Sequence, residues 1–257
     1  MTPIDSSYNI SGSGPAVIFV HGIGARKSAW DKVIVHLENH FTCVSYDLRG
    51  HGDSPKGNFP YSLEILVEDI EALRLKLNLG KIHIVGHSLG GMIGPKYAVS
   101  FPENILSVAL LSTAAFRTED DKSKVIAIVE SMRQKGIEPI LNTLTHRWFT
   151  DQFIEDNYDD VEFRLKQVLE TDPEVFLEVF RIYAETEMSP WLNQIKQPCL
   201  VLTGENDGGC NPRLNKLIAK SLIRSELCIL DDYKHSILIE ASDEVGERVR
   251  DFLLSIS

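Results

Sequence analysis

The chain has 257 residues, of which 43% are hydrophobic and 25% charged, a composition typical of one globular α/β domain with at most an inserted lid. Its formal net charge is −11 and it has no basic cluster, which argues against nucleic-acid binding because phosphates require concentrated Lys and Arg. Since the first residues, MTPIDSSYNI, do not resemble a signal peptide and no apolar run approaches the ~20 residues that span a bilayer, we expect a cytoplasmic protein without a membrane partner.

Short apolar runs alternate with amphipathic helices along the first part of the chain. Several runs are continuously apolar, as is typical of parallel strands covered on both faces. Between the second and third runs, residues 62–77 place leucine, isoleucine and valine at helical spacing. This alternation predicts a mostly parallel sheet flanked by helices. The predicted strands are 17–20, 43–46, 82–85, 108–111, 200–203 and 227–230.

The alternation stops between about residue 116 and residue 190 and resumes at Pro198. The interrupting stretch is rich in aromatic residues and is predicted to be helical, with helices at 121–135 and 160–169. We therefore predict a core domain of residues 1–115 and 191–257 and a helical cap, or lid, of residues 116–190. Such an insertion should lie over the carboxyl edge of the sheet, where open α/β folds bind ligands. Its aromatic residues either line an apolar pocket or form the cap's own small core.

The segment Gly86-His87-Ser88-Leu89-Gly90 fits the pattern G-x-S-x-G where a predicted strand gives way to a predicted helix. A sharp turn here strains the serine backbone and brings chain segments together, so positions 86 and 90 must lack side chains. The Ser88 hydroxyl then projects above the sheet at a helix N-terminus, where free N–H groups favour negative charge. This placement predicts that Ser88 is a nucleophile.

A serine nucleophile needs a base, and position eliminates most of the eight histidines. His235 follows the last predicted strand and therefore lies at the same edge as Ser88, whereas the ring of His87 is expected to turn away from the serine. The orienting carboxylate should also follow a strand. Asp207 is the predicted acid, with Glu205 as its rival. The resulting order along the chain, serine, acid, histidine, is that of α/β enzymes with a G-x-S-x-G turn.

Stabilisation of an oxyanion requires N–H donors. We expect one from the backbone of Leu89, which follows the nucleophile, and another from the backbone of Ile23 in the loop after the first predicted strand. The loop after the second predicted strand is expected to be structural, braced by Arg49 and Asp53. This chemistry needs no metal and no organic cofactor, and no pair among the four cysteines has metal-ligand or redox spacing.

Taken together, these motifs resemble those of the α/β-hydrolases with a helical lid, and the resemblance covers almost the whole chain. Within that superfamily the chain is similar to the 3-oxoadipate enol-lactonases and small carboxylesterases, since Arg147-Trp148-Phe149-Thr150 matches a segment of those enol-lactonases. We expect Arg147, Trp148 and Trp30 to contact the substrate. Alternatively, Arg147 lies on the cap surface and pairs with an acid such as Asp151.

The chain departs from the family pattern in two places. The outer antiparallel hairpin is expected to shrink to about residues 8–11, and Pro95 falls inside the helix that follows Ser88, where it removes one helix hydrogen bond.

The resemblance implies acyl transfer to water from a small-molecule ester or enol-lactone. Three alternatives stay open: C–C bond hydrolysis of a ring-cleavage product, cofactor-free perhydrolysis, and a slow-turnover small-molecule receptor of the same fold. Fold similarity does not decide among them.

Overall fold

The computed structural model describes residues 2–256. A seven-stranded sheet is formed by β1 (Tyr8–Ser11), β2 (Ala16–Val20), β3 (Thr42–Tyr46), β4 (Ile82–His87), β5 (Ile105–Leu111), β6 (Cys199–Gly204) and β7 (Ser225–Leu230). The strand order is β1-β3-β2-β4-β5-β6-β7, with β1 antiparallel to β3 and every other neighbouring pair parallel. The predicted mostly parallel α/β sheet is confirmed, and β1 lies where the reduced outer hairpin was expected.

Helices fill most connections between the strands. They are α1 (Asp31–Ile34), α2 (Leu63–Lys76), α3 (Gly90–Ser100), α4 (Glu119–Lys135), α5 (Glu138–Trp148), α6 (Asp151–Asp156), α7 (Tyr158–Leu169), α8 (Pro173–Glu185), α9 (Pro212–Ser221), α10 (Ile237–Glu240) and α11 (Ser242–Leu254), with short 3-10 helices at Lys27–Trp30 and Leu192–Gln194. α3 continues through Pro95 to Ser100. α4 begins earlier than predicted because Thr118 and Asp121 form a capping box.

The core lies on both faces of the sheet because neighbouring strand residues point to opposite sides. In β2, Ile18 and Val20 pack into one buried cluster with residues of α2, α3 and α9. Val17 and Phe19 pack into a second cluster with residues of α1 and α11. Within residues 2–256, no helix is both long enough and apolar enough to cross a membrane.

The loop after β3 is held by buried charge. Arg49 donates from Nε and Nη2 to the two carboxylate oxygens of Asp69, at 2.8 and 2.7 Å, and both side chains are buried. Asp53 is exposed and pairs with Lys27 at 2.9 Å. The predicted bracing by Arg49 is therefore provided through a partner on α2, while Asp53 makes a surface contact.

Helices α4 to α8 occupy the chain between β5 and β6. Two of them rest on loops at the carboxyl edge: Arg164 of α7 donates to the carbonyl oxygens of Ile23 and Gly24, and Arg181 of α8 donates to the carbonyl oxygen of Tyr61. We propose that residues 116–190 form a cap on a core of residues 1–115 and 191–257.

Candidate active site

Ser88 directly follows β4 in a strained backbone conformation, with a φ of 56°. The flanking glycines make the turn possible. A Cβ at position 86 would lie 2.1 Å from the carbonyl oxygen of Gly90, and a Cβ at position 90 would lie 2.0 Å from that of Val20. The prediction that both positions must lack side chains is confirmed.

The backbone of Ser88 is fixed while its hydroxyl is free. Its N–H donates to the carbonyl oxygen of Leu111 at 2.8 Å, and its own carbonyl accepts from Thr113 Oγ1 at 2.9 Å. Within residues 2–256, the Ser88 hydroxyl has no hydrogen-bond partner. The strained turn thus presents an uncommitted hydroxyl to the cavity that lies above the sheet.

His235 and Asp207 form a hydrogen-bonded pair beside this serine, at the carboxyl ends of β7 and β6. His235 Nδ1 lies 2.7 Å from Asp207 Oδ2, and the backbone N–H groups of Gly209 and Cys210 donate to Asp207 Oδ1 at 2.9 and 2.7 Å. Burial disfavours both charged forms, but the attraction between the two groups outweighs it. The pKa of Asp207 is lowered and that of His235 is raised above its ordinary value.

Glu205, the rival acid, does not meet His235. Its side chain is exposed, and its Oε2 accepts from the backbone N–H of Asp232 at 3.3 Å. Glu205 stands one residue beyond β6, too close to the strand end to reach the histidine, whereas Asp207 lies two residues further along the turn.

His87 does not turn away from the site as expected. Its ring lines the cavity and lies 5.0 Å from the ring of His235, centroid to centroid. His87 Nε2 donates to the backbone carbonyl of His235 at 3.0 Å. Burial, followed by the neighbouring His235, lowers the pKa of His87 to about 3, so this ring is neutral and braces the loop that carries His235.

Two neutral histidines organise the loop after β2. His21 Nδ1 donates to the carbonyl of Gly22 at 2.7 Å, and the N–H of Gly24 donates to His51 Nε2 at 3.1 Å. Burial is the main reason that the pKa of each ring falls to about 3. His51 must be neutral, because only an unprotonated Nε2 can accept from Gly24.

The N–H groups predicted to face an oxyanion are unpartnered. Within residues 2–256, neither the backbone N–H of Ile23 nor that of Leu89 donates to a protein acceptor. Both lie beside the turn that carries Ser88: a Cβ on Gly22, next to Ile23, would lie 3.1 Å from Ser88 Cβ, and Leu89 follows the serine directly. Two free N–H donors close to one serine, from Ile23 and Leu89, are suited to binding a negatively charged oxygen.

A cavity of about 380 Å³ connects these groups and is of the size that binds small molecules. Ser88, Asp207 and His235 line it together with Ile23. Cap residues complete the wall, namely Val125, Ile128, Leu144, Arg147, Trp148, Asp160, Phe163, Arg164, Gln167, Phe180 and Tyr183. Some of the cap's aromatic side chains therefore do line a largely apolar pocket.

The predicted substrate contacts separate into two groups. Arg147 and Trp148 line the cavity, but Trp30 does not. Trp30 is fully buried and packs against Phe19 on the other face of the sheet, with ring centroids 5.2 Å apart. The assignment of Trp30 to substrate binding was wrong because its position after the β2 loop did not reveal that its ring points into the core.

Arg147 is exposed, and the alternative pairing with Asp151 does not form. Asp151 instead contacts His146 Nδ1 at 3.3 Å and Lys234 Nζ at 3.5 Å. Within the described chain, Arg147 has no ion-pair partner. Its guanidinium is therefore available to a bound anion.

Comparison with known proteins shows which family the chain belongs to. A model of the alpha/beta hydrolase fold family matches residues 15–242. The chain belongs to the alpha/beta hydrolases. Among relatives of this hydrolase, 3-oxoadipate enol-lactonase 2 of Acinetobacter baylyi is 30% identical over 217 residues, which is 84% of this chain and 80% of the relative. The (E)-2-((N-methylformamido)methylene)succinate hydrolase of the same organism is 26% identical over 251 residues, or 96% and 93% of the two chains.

Solved structures agree with the family assignment. The enol-lactonase from Burkholderia xenovorans matches with a TM-score of 0.91 at 26% identity, over 98% of this chain and 97% of that one. A thermophilic esterase from Thermogutta terrifontis matches with a TM-score of 0.89 at 23% identity, over 98% and 94% of the two chains, which supports the fold. These matches show that the chain is a hydrolase enzyme of this fold.

Sequence reasoning missed two residues that line this hydrolase's cavity. Cys210 lies beside the Asp207–His235 pair, and its thiol is 3.1 Å from the hydroxyl of Tyr183. Arg164 reaches the cavity from α7. Spacing gave no signal for either residue, because Cys210 has no partner cysteine nearby and Arg164 lies among ordinary charged residues of a helix.

Potential metal ligands also converge here. One ligand atom from each of Asp207, Cys210 and His235 lies within 4.8 Å of the others. The Nδ1 of His235 already bonds to Asp207, so a cation would have to replace the proton of that hydrogen bond. We interpret Asp207 and His235 as an acid–base pair, with the Cys210 thiol beside it, rather than as a metal site.

Proposed function

We propose that this hydrolase cleaves a carboxylic ester or enol-lactone of a small molecule through Ser88, His235 and Asp207. One observation carries the proposal: a strained serine with a free hydroxyl, a histidine–aspartate pair and two unpartnered N–H groups line or border a single cavity. This is the set of groups that nucleophilic acyl transfer requires.

In the first half-reaction, His235 accepts the proton of Ser88 while the serine oxygen attacks the substrate carbonyl. The tetrahedral oxyanion is held by the N–H groups of Ile23 and Leu89. Collapse expels the alcohol or enolate, which takes the proton from His235, and leaves an acyl group on Ser88. Asp207 keeps the proton of His235 on Nδ1 and stabilises the imidazolium between these steps.

Water resolves the acyl-enzyme by the same route. His235 accepts a proton from the water molecule, whose oxygen attacks the acyl carbon, and the proton then returns to the Ser88 oxygen as the acid product leaves. No step needs a group other than these side chains, the two N–H donors and water.

One part of the cavity wall suits an anionic substrate: Arg147 stands apart from the wall's acids, of which Asp160 pairs with Lys32 and Asp207 with His235, while Asp31 lies beside the loop after β2. The chain carries a net charge of −11, so a carboxylated molecule needs local positive charge to bind. Arg147 provides it without an acidic partner, beside Trp148. The two relatives described above are named for an enol-lactone of 3-oxoadipate and for a substituted succinate, both carboxylated compounds.

Mass spectrometry of the protein mixed with a panel of esters, enol-lactones and a vinylogous ketone tests the proposal. We expect an acyl adduct on the peptide that contains Ser88, with turnover of the esters or lactones. Turnover of the ketone alone would support C–C bond hydrolysis instead. An adduct that forms once, with only a few turnovers and a ligand-dependent rise in unfolding temperature, would support a receptor.

The pH dependence of kcat/KM should report His235. Burial opposes the imidazolium, but Asp207 outweighs this effect and raises the histidine pKa, so the inactive charged form persists to higher pH than for a free histidine. Activity should therefore rise with pH through an inflection above the ordinary histidine value of 6.5. Steady-state rates measured on folded protein check this expectation. A flat profile across the range of about pH 5 to 8 would exclude His235 as the base.

Replacement of Arg147 with alanine should weaken binding of a carboxylated substrate selectively. Loss of a charged hydrogen bond worth ~1.5–3 kcal/mol corresponds to a rise in KM of ~10- to 100-fold. A neutral ester of similar size should keep its KM, and Arg133→Ala, which removes an exposed arginine of α4 outside the cavity wall, provides a control. An equal rise in KM for both substrates would mean that the substitution disturbs the cap. An unchanged KM for both would show that Arg147 does not contact the substrate.

A further inference from the structure

Arg164 links the cap to the loop that carries one proposed oxyanion donor. From α7, its Nη1 donates to the carbonyl of Gly24 at 2.6 Å and its Nη2 donates to the carbonyl of Ile23 at 2.8 Å. Its side chain also lines the cavity. One guanidinium therefore contacts two consecutive carbonyls of the loop whose free Ile23 N–H lies near Ser88.

The charge on Arg164 has no acidic counterpart. Within residues 2–256 it forms no ion pair, although its guanidinium lies 5.2 Å from the centre of the Trp148 ring. Burial, and then repulsion from Arg26, lower its pKa to about 10, which leaves it charged at neutral pH. Within residues 2–256 this partly buried cation contacts two carbonyls and an aromatic face rather than a carboxylate, so a role beyond packing would explain its placement.

The loop is held from two sides. The core side supplies His51, which accepts from the N–H of Gly24, and His21, which donates to the carbonyl of Gly22. The cap side supplies Arg164 at the carbonyls of Ile23 and Gly24, and further along the loop Arg26 donates to the Gln167 carbonyl and the Thr171 hydroxyl of the cap. Without Arg164 the carbonyls of Ile23 and Gly24 lose their side-chain partner, so the peptide planes that follow Ile23 and Gly24 are held less firmly. The Ile23 N–H lies in the preceding plane, whose Gly22 carbonyl accepts from His21 Nδ1 and from the N–H of Ala25. Arg164 therefore acts on this N–H by fixing the other side of residue 23.

We propose that Arg164 is a positioning residue that aims the Ile23 N–H at the developing oxyanion and thereby couples cap placement to transition-state stabilisation. This inference rests on the proposed function, since it takes Ile23 as an oxyanion donor. It adds that the cap contributes to the rate of the reaction as well as to the shape of the pocket.

Replacement of Arg164 with methionine should lower kcat for a neutral ester such as p-nitrophenyl acetate by ~10- to 100-fold, because misplacing a donor by about 1 Å costs up to ~10² in rate. KM should change little, since the donor acts in the transition state. A boronic acid, whose tetrahedral adduct on Ser88 carries an oxyanion, should lose affinity by the same factor. Arg164→Lys retains the charge but can reach only one of the two carbonyls. Its kcat and boronic acid affinity should therefore lie between those of Arg164→Met and those of the unmodified protein.

Arg181 offers a matched control. It too is a cap arginine that donates to a core carbonyl, that of Tyr61, at 2.9 Å, but it does not line the cavity. Arg181→Met should lower the free energy of unfolding while kcat and boronic acid affinity stay near those of the unmodified protein.

Chemical rescue provides a further test of Arg164. In Arg164→Ala, millimolar guanidinium should restore part of kcat by entering the vacated site from the cavity.

The outcomes are distinguishable. If Arg164→Met and Arg181→Met lose kcat equally, or if Arg164→Met raises only KM, the positioning role is overturned. If the boronic acid fails to bind the unmodified protein and Ser88 forms no adduct, the proposed function itself fails. Parallel losses of kcat and boronic acid affinity confined to Arg164 variants, with rescue by guanidinium, would support the inference.

Discussion

Replacement of Ser88 with alanine should reduce kcat/KM by ~10⁵- to 10⁶-fold for every ester or lactone that the protein turns over, the scale of losing the nucleophile of such a triad. Because the Ser88 hydroxyl makes no hydrogen bond within residues 2–256, its removal breaks no contact that supports the fold. Urea unfolding should accordingly give a free energy of unfolding close to that of the unmodified protein.

A serine outside the cavity gives the control. Ser123 is exposed on α4 and does not line the wall, so Ser123→Ala should retain nearly full activity. Turnover above a few per cent in Ser88→Ala, with contaminating hydrolases excluded by a second purification, would remove Ser88 from the mechanism. No acyl or boronic acid adduct should form on the variant.

The sheet and the positions of the candidate catalytic groups could be predicted because they depend on local pattern and one topological rule. Continuous apolar runs indicated β2 and β4, and a glycine-bracketed serine indicated a strained turn. Parallel strands end at the same edge, so residues that follow β4, β6 and β7 had to come close together. Ser88, Asp207 and His235 follow those three strands, and the structure brings them to one cavity.

Side-chain direction could not be predicted in the same way, since it depends on packing between distant segments. Arg164 illustrates the limit. Asp160 lies four residues earlier on α7, a spacing that favours a surface ion pair between the two. In the structure Asp160 pairs with Lys32 at 2.9 Å, and Arg164 turns inward to the loop after β2. His87 and Trp30 were misplaced for the same reason: nothing in the surrounding sequence shows which way a ring points.

Replacement of Asp207 with asparagine should lower kcat by ~10⁴-fold while the protein stays folded. Glu205→Gln, two residues away, should change kcat little, because the Glu205 side chain is exposed and accepts from the N–H of Asp232 rather than from His235. Steady-state kinetics of the two variants with one ester provides the comparison. A larger loss of kcat in Glu205→Gln than in Asp207→Asn would show that Glu205, and not Asp207, is the acid partner of His235.

The hydrogen bonds around Asp207 explain why an amide of the same shape should be so damaging. Oδ1 accepts from the N–H groups of Gly209 and Cys210, so an asparagine must place its carbonyl oxygen there and its NH2 group toward His235. Nδ1 of His235 would then have to accept, which leaves the proton on Nε2. A histidine in that tautomer cannot take the proton of Ser88. The backbone turn at residues 207–210 therefore determines which imidazole nitrogen is free to act as the base.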